Sequence, residues 1–361
     1  MKLAVWNMEW LNDLVDSTAG ALKPGDRNVR GPRPPWENEG PTVAERIALL
    51  REGLADLDPD ILLIVEGPDR TEDMEILMAS ISDAEWAIHI QRSRFPSAPD
   101  NSRQNTSTQC VGIALRTDRQ KFADTPMTTT DVEDPAAGLI HSATEPFFLD
   151  LGADKVPEWF RYERRPLWVT VHPAQGSDFN IMGLHLKSKG IFAAHEWSRW
   201  WQLADANRMR LLAQCRHIRE AFLDIYLSDP AALPLIVAGD INDGPGFDTS
   251  EMRLNASGIE TLMGSVWKPG LSLGNALFDA LDDRDRARLD FSGVTTTRFA
   301  DPIFNDTYHR VMIDHILYSR NPPGWVAPGE VPRKTATDTE YWKISDHFPV
   351  VAQITPPSVG T

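Results

Sequence analysis

The sequence is poor in cysteine and tyrosine, and its cations are outnumbered. Its 361 residues include two cysteines, Cys110 and Cys215, and five tyrosines. Two thiols cannot form a disulfide framework, and each lies in an apolar stretch, so both read as small core residues. Lys and Arg number 36 against 52 Asp and Glu, a formal charge of −16. That balance excludes a protein that coats nucleic acid through a broad basic surface. It leaves a local basic patch free to meet a phosphate, and it keeps small neutral or anionic phosphoesters open as ligands. No apolar run is long enough to span a membrane. The start, Met1-Lys2-Leu3-Ala4-Val5-Trp6-Asn7, lacks the pattern of a secretory signal, so a cytoplasmic protein is expected. Internal repeats and low-complexity tracts are absent as well.

What the chain does have is 42% hydrophobic residues, enough for a substantial core, and one stretch around which the rest is arranged. Pro234-Leu235-Ile236-Val237-Ala238-Gly239-Asp240-Ile241-Asn242-Asp243 is an apolar run of strand length that ends in a glycine and then a carboxylate. Alternation along an extended backbone sends Asp240 and Asn242 to the same face. Gly239 leaves room for a close approach to the backbone.

The same design recurs along the chain. Lys2 to Asn7 reads as a strand ending in Asn7. Residues 16–41 form a Pro- and Gly-rich loop positioned to wall a cleft. Thr42-Val43-Ala44-Glu45 is a capping box, and Ile47, Leu50, Leu54 and Leu57 follow at helical spacing. Ile61-Leu62-Leu63-Ile64-Val65 is a buried strand that terminates in Glu66. A second helix spans Thr71 to Ser82. Residues 91–109, with Arg92, Arg94 and Arg103, are a polar loop, either a surface excursion or a basic flap. Val111 to Arg116 is a strand, and residues 125–159 give no clear pattern. Leu167 to His172 and Phe179 to Leu186 form a hairpin, the second strand leading into His185-Leu186-Lys187-Ser188-Lys189. A long helix is expected from Ala193 to Tyr226, with Trp197, Trp201, Ala204, Leu211, Cys215, Ile218, Phe222 and Ile225 on one apolar stripe and Arg208 interrupting it. Short helices and loops follow Asp240. Thr295 to Phe299, Val311 to Tyr318 and Ile344 to Ala352 are expected strands, the second carrying Asp314 and the third opened by Asp346-His347.

The polar residues at strand ends are Asn7, Glu66, His185, Asp240, Asn242, Asp314, Asp346 and His347. Taken singly, each has an ordinary alternative: Asn7 a turn residue, Glu66 a solvated strand end, His185 a hydrogen-bonded core histidine, Asp314 and His347 a buried ion pair. Their order on successive strands is what distinguishes them. In that order, Trp6-Asn7, Val65-Glu66, Val111-Gly112-Ile113-Ala114, Gly183-Leu184-His185-Leu186-Lys187, Gly239-Asp240-Ile241-Asn242, Ile313-Asp314-His315-Ile316-Leu317 and Ser345-Asp346-His347 resemble the endonuclease/exonuclease/phosphatase superfamily. The match runs over nearly the whole chain. The departures are the loops near 16–41, 91–109 and 125–159, where such proteins read their substrates.

The resemblance implies an α/β fold, a four-layer sandwich of two mixed β-sheets packed face to face with helices outside, as a single domain over 1–361. It implies a phosphoester hydrolase dependent on a divalent cation, Mg²⁺ or Mn²⁺, that acts on DNA or RNA or else on a small phosphorylated metabolite or lipid headgroup. Glu66 and Asp346, with Asn7, would hold the metal. Asp240 would orient or deprotonate the attacking water, and Asn242 would hold that water or a phosphate oxygen. His347 would contact the non-bridging oxygens, with Asp314 accepting its other ring N–H. His185 would be a general acid, and Lys187 a phosphate contact. A catalytically dead scaffold is disfavoured, because no polar position of the set carries an apolar residue.

Overall fold

The computed structural model describes residues 1–32, 39–92, 109–151, 156–190, 199–246, 249–301 and 307–358. In chain order the principal strands are β1 (Lys2–Asn7), β2 (Ile61–Gly67), β3 (Trp86–Gln91), β4 (Cys110–Arg116), β5 (Phe122–Thr129), β6 (Leu167–Pro173), β7 (Phe179–His185), β8 (Leu235–Asp240), β9 (Leu273–Asn275), β10 (Asp314–Ser319) and β11 (Val350–Gln353). The longer helices are α1 (Val43–Leu57), α2 (Thr71–Ile81) and α3 (Trp200–Ile218).

The strands form two mixed sheets, ordered β11-β1-β2-β4-β3 and β9-β10-β8-β7-β6-β5. Each sheet has one parallel pair at its heart, β1 with β2 and β7 with β8, flanked by antiparallel neighbours. Between the sheets, Leu3, Val5, Leu63 and Ile113 pack against Val169, Ile181, Ile236 and Ile316 in one continuous core. Alternation sends the intervening residues outward. Trp6, Leu62 and Ile64 meet Leu50 and Leu54 of α1 and Leu77 of α2. Met182, Leu184 and Val237 meet Leu211, Cys215 and Ile218 of α3. Burying a side chain of this size stabilises the fold by about 1.5–3 kcal/mol. The layers are therefore helix, sheet, sheet, helix, as the motifs implied. No helix among the described residues is long and apolar enough to cross a membrane.

α1 begins where the sequence places it. The Thr42 hydroxyl accepts from Glu45 N at 3.3 Å, and the Glu45 carboxylate accepts from Thr42 N at 2.8 Å. It stops at Asp58, which turns left-handed at φ 44°.

Three expected elements differ. The run from Val311 to Tyr318 is split between two sheets. Thr307–Val311 pairs with Thr297–Asp301 in a separate hairpin, and β10 starts only at Asp314. The Thr296 hydroxyl takes the N–H groups of Ile313 and Asp314, at 2.9 and 3.0 Å, and so replaces a strand neighbour there. The last strand is confined to Val350–Gln353, because Ser345 to His347 is engaged by other partners described below. Residues 191–198, including Trp197, lie outside the described residues. Beyond them the helix runs from Trp200, and it passes through a π-helical turn at Arg219–Leu223. That turn rotates the later residues, so Ile225 is exposed rather than packed. Trp201 is also exposed, while Ala204, Leu211, Cys215, Ile218 and Phe222 keep the buried face. Arg208 is half-buried and donates to the carbonyl of Ala204 at 3.2 Å. Both cysteines are free and buried.

Candidate active site

The four strands of the two parallel pairs end on the same side of the sandwich, and each delivers one polar side chain. Asn7 closes β1 and Glu66 lies at the end of β2; His185 closes β7 and Asp240 closes β8. Antiparallel β10 begins at Asp314, directly opposite Asp240. A Cβ on Gly239 would lie 2.0 Å from the Leu184 carbonyl oxygen, so only glycine allows β8 to hug β7 at this point. Glu66 and Asn242 adopt φ of 64° and 59°. Left-handed backbone at such residues costs on the order of 1–3 kcal/mol and clusters at working sites.

Asn7 joins the two sheets. Its amide Nδ2 donates to Asp240 Oδ2 at 3.2 Å and to Glu66 Oε1 at 3.4 Å, while its Oδ1 accepts from Glu9 N at 3.1 Å. Glu66 Oε2 accepts from Trp10 N at 2.9 Å. Asp240 Oδ1 accepts from Asn242 N at 3.0 Å, and one amide N–H of Asn242 goes to the Leu186 carbonyl at 3.2 Å.

His347 is fixed on every side. Its carbonyl accepts from Trp6 Nε1 at 3.0 Å, its N–H goes to Ser345 Oγ at 3.1 Å, and that hydroxyl donates to the Asn7 carbonyl at 2.6 Å. Its Nδ1 donates to Asp314 Oδ2 at 2.8 Å. Among the described residues, Asp314 Oδ1 is buried with no hydrogen-bond partner. Asp346 presents Oδ1 4.0 Å from His347 Nε2, with 43% of its side chain open to solvent.

The two histidines are driven in opposite directions. Burial alone would lower the pKa of His347, but the carboxylates of Asp314, Asp346 and Asp240 outweigh it, and the ring is held well above its ordinary value as an imidazolium. Burial and the Arg164 cation push His185 well below that value, so it is neutral. Its Nδ1 lies 3.3 Å from the Gln109 carbonyl, and its Nε2 faces Asp240 Oδ2 at 3.7 Å. Burial and then Asp314 raise Asp240 to about 7.

Three carboxylates crowd one flank. Burial and then the charge of Asp346 raise both Glu66 and, to about 8, Glu9. Asp346 is raised by burial and by Asp314, an effect softened by its solvent exposure. One oxygen or nitrogen each from Asp240, Asp314 and His347 lies within 4.8 Å of the others. Crowded carboxylates and an unpartnered buried oxygen are what a hard cation with oxygen ligands would relieve, so the residues present fit such an ion.

Lys187 stands to one side. Its ammonium is 3.8 Å from Glu163 Oε1 and its N–H donates to Gln214 Oε1 at 2.9 Å. Of the loop arginines, Arg94 and Arg103 lie outside the described residues, and Arg92 sits 3.9 Å from Glu72.

The sequence reading missed Glu9, Arg46 and Arg164. Glu9 accepts from Asp346 N at 3.1 Å; its signal was its place two residues after Asn7. Arg46 is wholly buried in α1 and donates to the carbonyls of Met8 at 2.8 Å, Glu9 at 2.9 Å, and Ile344. It thereby ties the segments on either side of the carboxylate flank; a cation on the stripe with Leu50 and Leu54 was its signal. Arg164 donates to the carbonyls of His185 at 3.2 Å and Leu186 at 2.8 Å, and to Gln109 Oε1 at 3.4 Å. Its charge faces Asp240 and Glu66. No local pattern marked it.

No protein-family model matches the chain, and no curated protein matches it in sequence. Solved structures do match at low identity. A mannosyl-6-phosphatase from Bacteroides thetaiotaomicron is 14% identical, with a TM-score of 0.48 over 98% of this chain and 99% of that one. TDP2 from Caenorhabditis elegans is 12% identical, with a TM-score of 0.47 over 98% and 73% of the two chains. An endonuclease/exonuclease/phosphatase family protein from Leptotrichia buccalis is 12% identical, with a TM-score of 0.48 over 98% of this chain and 99% of that one.

Proposed function

We propose that this chain is a divalent-cation-dependent phosphoester hydrolase, and specifically a phosphodiesterase that cleaves DNA or RNA by in-line attack of water. The observation that carries the reading is geometric: the strand ends of both sheets bring Asn7, Glu66 and Asp240 into hydrogen-bond contact, and one ligand atom each of Asp240, Asp314 and His347 lies within 4.8 Å of the others.

Mg²⁺ or Mn²⁺ held by Glu66 and Asp346 would neutralise phosphate charge and organise its oxygens. We assign Asn7 to orienting Glu66 rather than to ligation, because its Oδ1 is taken by Glu9 N and its Nδ2 faces carboxylates. His347, protonated and locked by Asp314, donates Nε2–H to a non-bridging oxygen and stabilises the charge that develops in the transition state. Asp240, with a pKa of about 7, accepts a proton from the attacking water near neutral pH. Asn242 holds that water or a phosphate oxygen with its remaining amide N–H. Burial and Arg164 lower the pKa of His185, which disfavours the general-acid role that the resemblance implied; we propose instead that it positions Asp240, which its Nε2 faces at 3.7 Å. Lys187 remains the further phosphate contact.

The net charge of −16 supports the second reading, a small phosphorylated metabolite or lipid headgroup as substrate. The test is to incubate the protein and Mg²⁺ or Mn²⁺ with plasmid, a single-stranded oligonucleotide or bis-p-nitrophenyl phosphate. Cleavage of a nucleic acid is expected. Release from the dye ester with every nucleic acid intact would leave the small-substrate reading, and no hydrolysis with either metal would remove both.

A further inference from the structure

The cations nearest the site are mostly committed to the protein itself. Arg46 is wholly buried. Arg164 donates to two carbonyls and to Gln109, and Lys187 faces Glu163. Arg30, from the loop expected to wall the cleft, is different. Its guanidinium carbon lies 3.9 Å from the centroid of the Trp10 ring, and 57% of its side chain is open to solvent.

Two features make this a built arrangement. First, Trp10 is joined directly to the site, because its N–H is the donor to Glu66 Oε2 at 2.9 Å. The chain reaches that position through consecutive left-handed residues, Glu9 at φ 50° and Trp10 at φ 53°, a costly conformation for a bulky side chain. Second, the stem of Arg30 is anchored. Val29 is buried, Arg30 N donates to Asp13 Oδ2 at 3.0 Å, and Nε lies 3.6 Å from the same oxygen. Asp13 is shared, since Lys23 Nζ donates to its other oxygen at 2.7 Å. Two cations on one carboxylate leave a positive charge uncompensated, and the more exposed of the two is Arg30, with 57% of its side chain open against 16% for Lys23. An arginine stacked on an aromatic face keeps its planar fork free for bidentate binding of phosphate.

We propose that Arg30, braced on Trp10, is a second anion-binding position that takes a further phosphate of the substrate beside the one being cleaved. This rests on the phosphoesterase reading and adds a preference to it. Substrates carrying a neighbouring phosphate bind more tightly than those with the scissile phosphate alone. The neighbouring group is either the next phosphodiester of a nucleic acid strand or a phosphomonoester on a small molecule.

The test uses the full chain with Mn²⁺ and three chromogenic esters: the p-nitrophenyl ester of thymidine 5′-phosphate, the same compound with a 3′-phosphate, and the p-nitrophenyl ester of a thymidine dinucleotide. In the wild-type protein, at least one added phosphate lowers KM by about fivefold, a reduced value for a charged hydrogen bond at a partly exposed site. Arg30→Gln abolishes that gain and leaves kcat and the KM of the simple ester within about twofold. Arg30→Lys, which keeps the charge, retains part of the gain. A gain with the dinucleotide alone assigns the position to a nucleic acid backbone, whereas a gain with both assigns it to any neighbouring phosphate. Turnover in which no added phosphate lowers KM, or in which Arg30→Gln changes all three KM values equally, overturns the inference alone. Absence of turnover on every ester removes the hydrolase reading and this inference together.

Discussion

The two sheets give the cleft different kinds of chemistry. The five-stranded sheet supplies Asn7 and Glu66, and the segment leading into β11 adds Asp346; with Glu9 they form a flank of crowded carboxylates held by a buried arginine. The six-stranded sheet supplies His185, Asp240 and Asp314, which hydrogen-bond or face His347, Asn242 and one another, with Asp314 Oδ1 left unpartnered among the described residues. His347 belongs by backbone to the first flank and by hydrogen bond to the second. We read the crowded carboxylates as the flank that calls for a cation and propose a division of labour: that side binds the ion, while the other handles the proton and the developing charge.

The strongest way to break that comparison is to remove the proton-handling side. Asp240→Ala and His347→Ala should each lower turnover of bis-p-nitrophenyl phosphate by on the order of 10² or more at saturating metal. Asp240→Ala should leave the thermal midpoint little changed, whereas His347→Ala, which strands the buried Asp314 carboxylate, should lower it. Near-wild-type turnover in either variant would cancel its assigned role. On the other flank, Arg46→Met should lower unfolding free energy by about 2–4 kcal/mol in denaturant titrations, because it strands the carbonyls of Met8, Glu9 and Ile344. An unchanged midpoint would show that the clamp is idle. Glu66→Gln should act on metal demand, raising the Mn²⁺ concentration for half-maximal rate by about tenfold or more while the saturated rate recovers. An identical metal titration would move the ion elsewhere.

The smallest effect is in pH. Glu9 rises from 4.5 to about 8 and Asp240 from 3.8 to about 7. A carboxyl raised on folding keeps its proton longer when folded, so stability falls as pH climbs from the unfolded pKa through the folded one. His347, also raised, contributes stability that is whole below 6.5 and lost as pH rises through its folded pKa. His185, lowered, works the other way, but only below 6.5. The thermal midpoint of the metal-free protein should therefore drop by a few degrees, on the order expected for about 1 kcal/mol, between pH 6.5 and 8. Mg²⁺ should raise it more at pH 8 than at pH 6.5. Equal shifts at both pH values would mean that the carboxylate flank is not where the ion sits.

The fold was largely legible because its central strands are continuous apolar runs, each ending in one polar residue. Ile61 to Glu66 and Leu235 to Asp240 announce both the strand and the direction in which its end points. Two of the places where the reading slipped, Val311 to Tyr318 and Ser345 to His347, share a physical cause: a side chain replaced a backbone partner. Thr296 interrupts the run at Met312 and Ile313 by accepting two main-chain N–H groups, and nothing in the run itself signals a hydroxyl arriving from another segment. Arg164 reaches the cleft from a loop before β6, so its role depends on tertiary contacts with His185 and Leu186. The raised pKa of His347 was legible from its pairing with Asp314, whereas the lowered pKa of His185 was hidden: it arises from burial and then Arg164, which only the folded chain brings together.

The most direct test of the divided cleft is diffraction from crystals soaked in Mn²⁺ and inorganic phosphate. The account predicts an anomalous peak at a carboxylate oxygen of Glu66, at a metal–oxygen distance of about 2.1 Å, with a phosphate oxygen hydrogen-bonded to His347 Nε2. A manganese ion bound away from Glu66, or a phosphate that leaves His347 untouched, would contradict it.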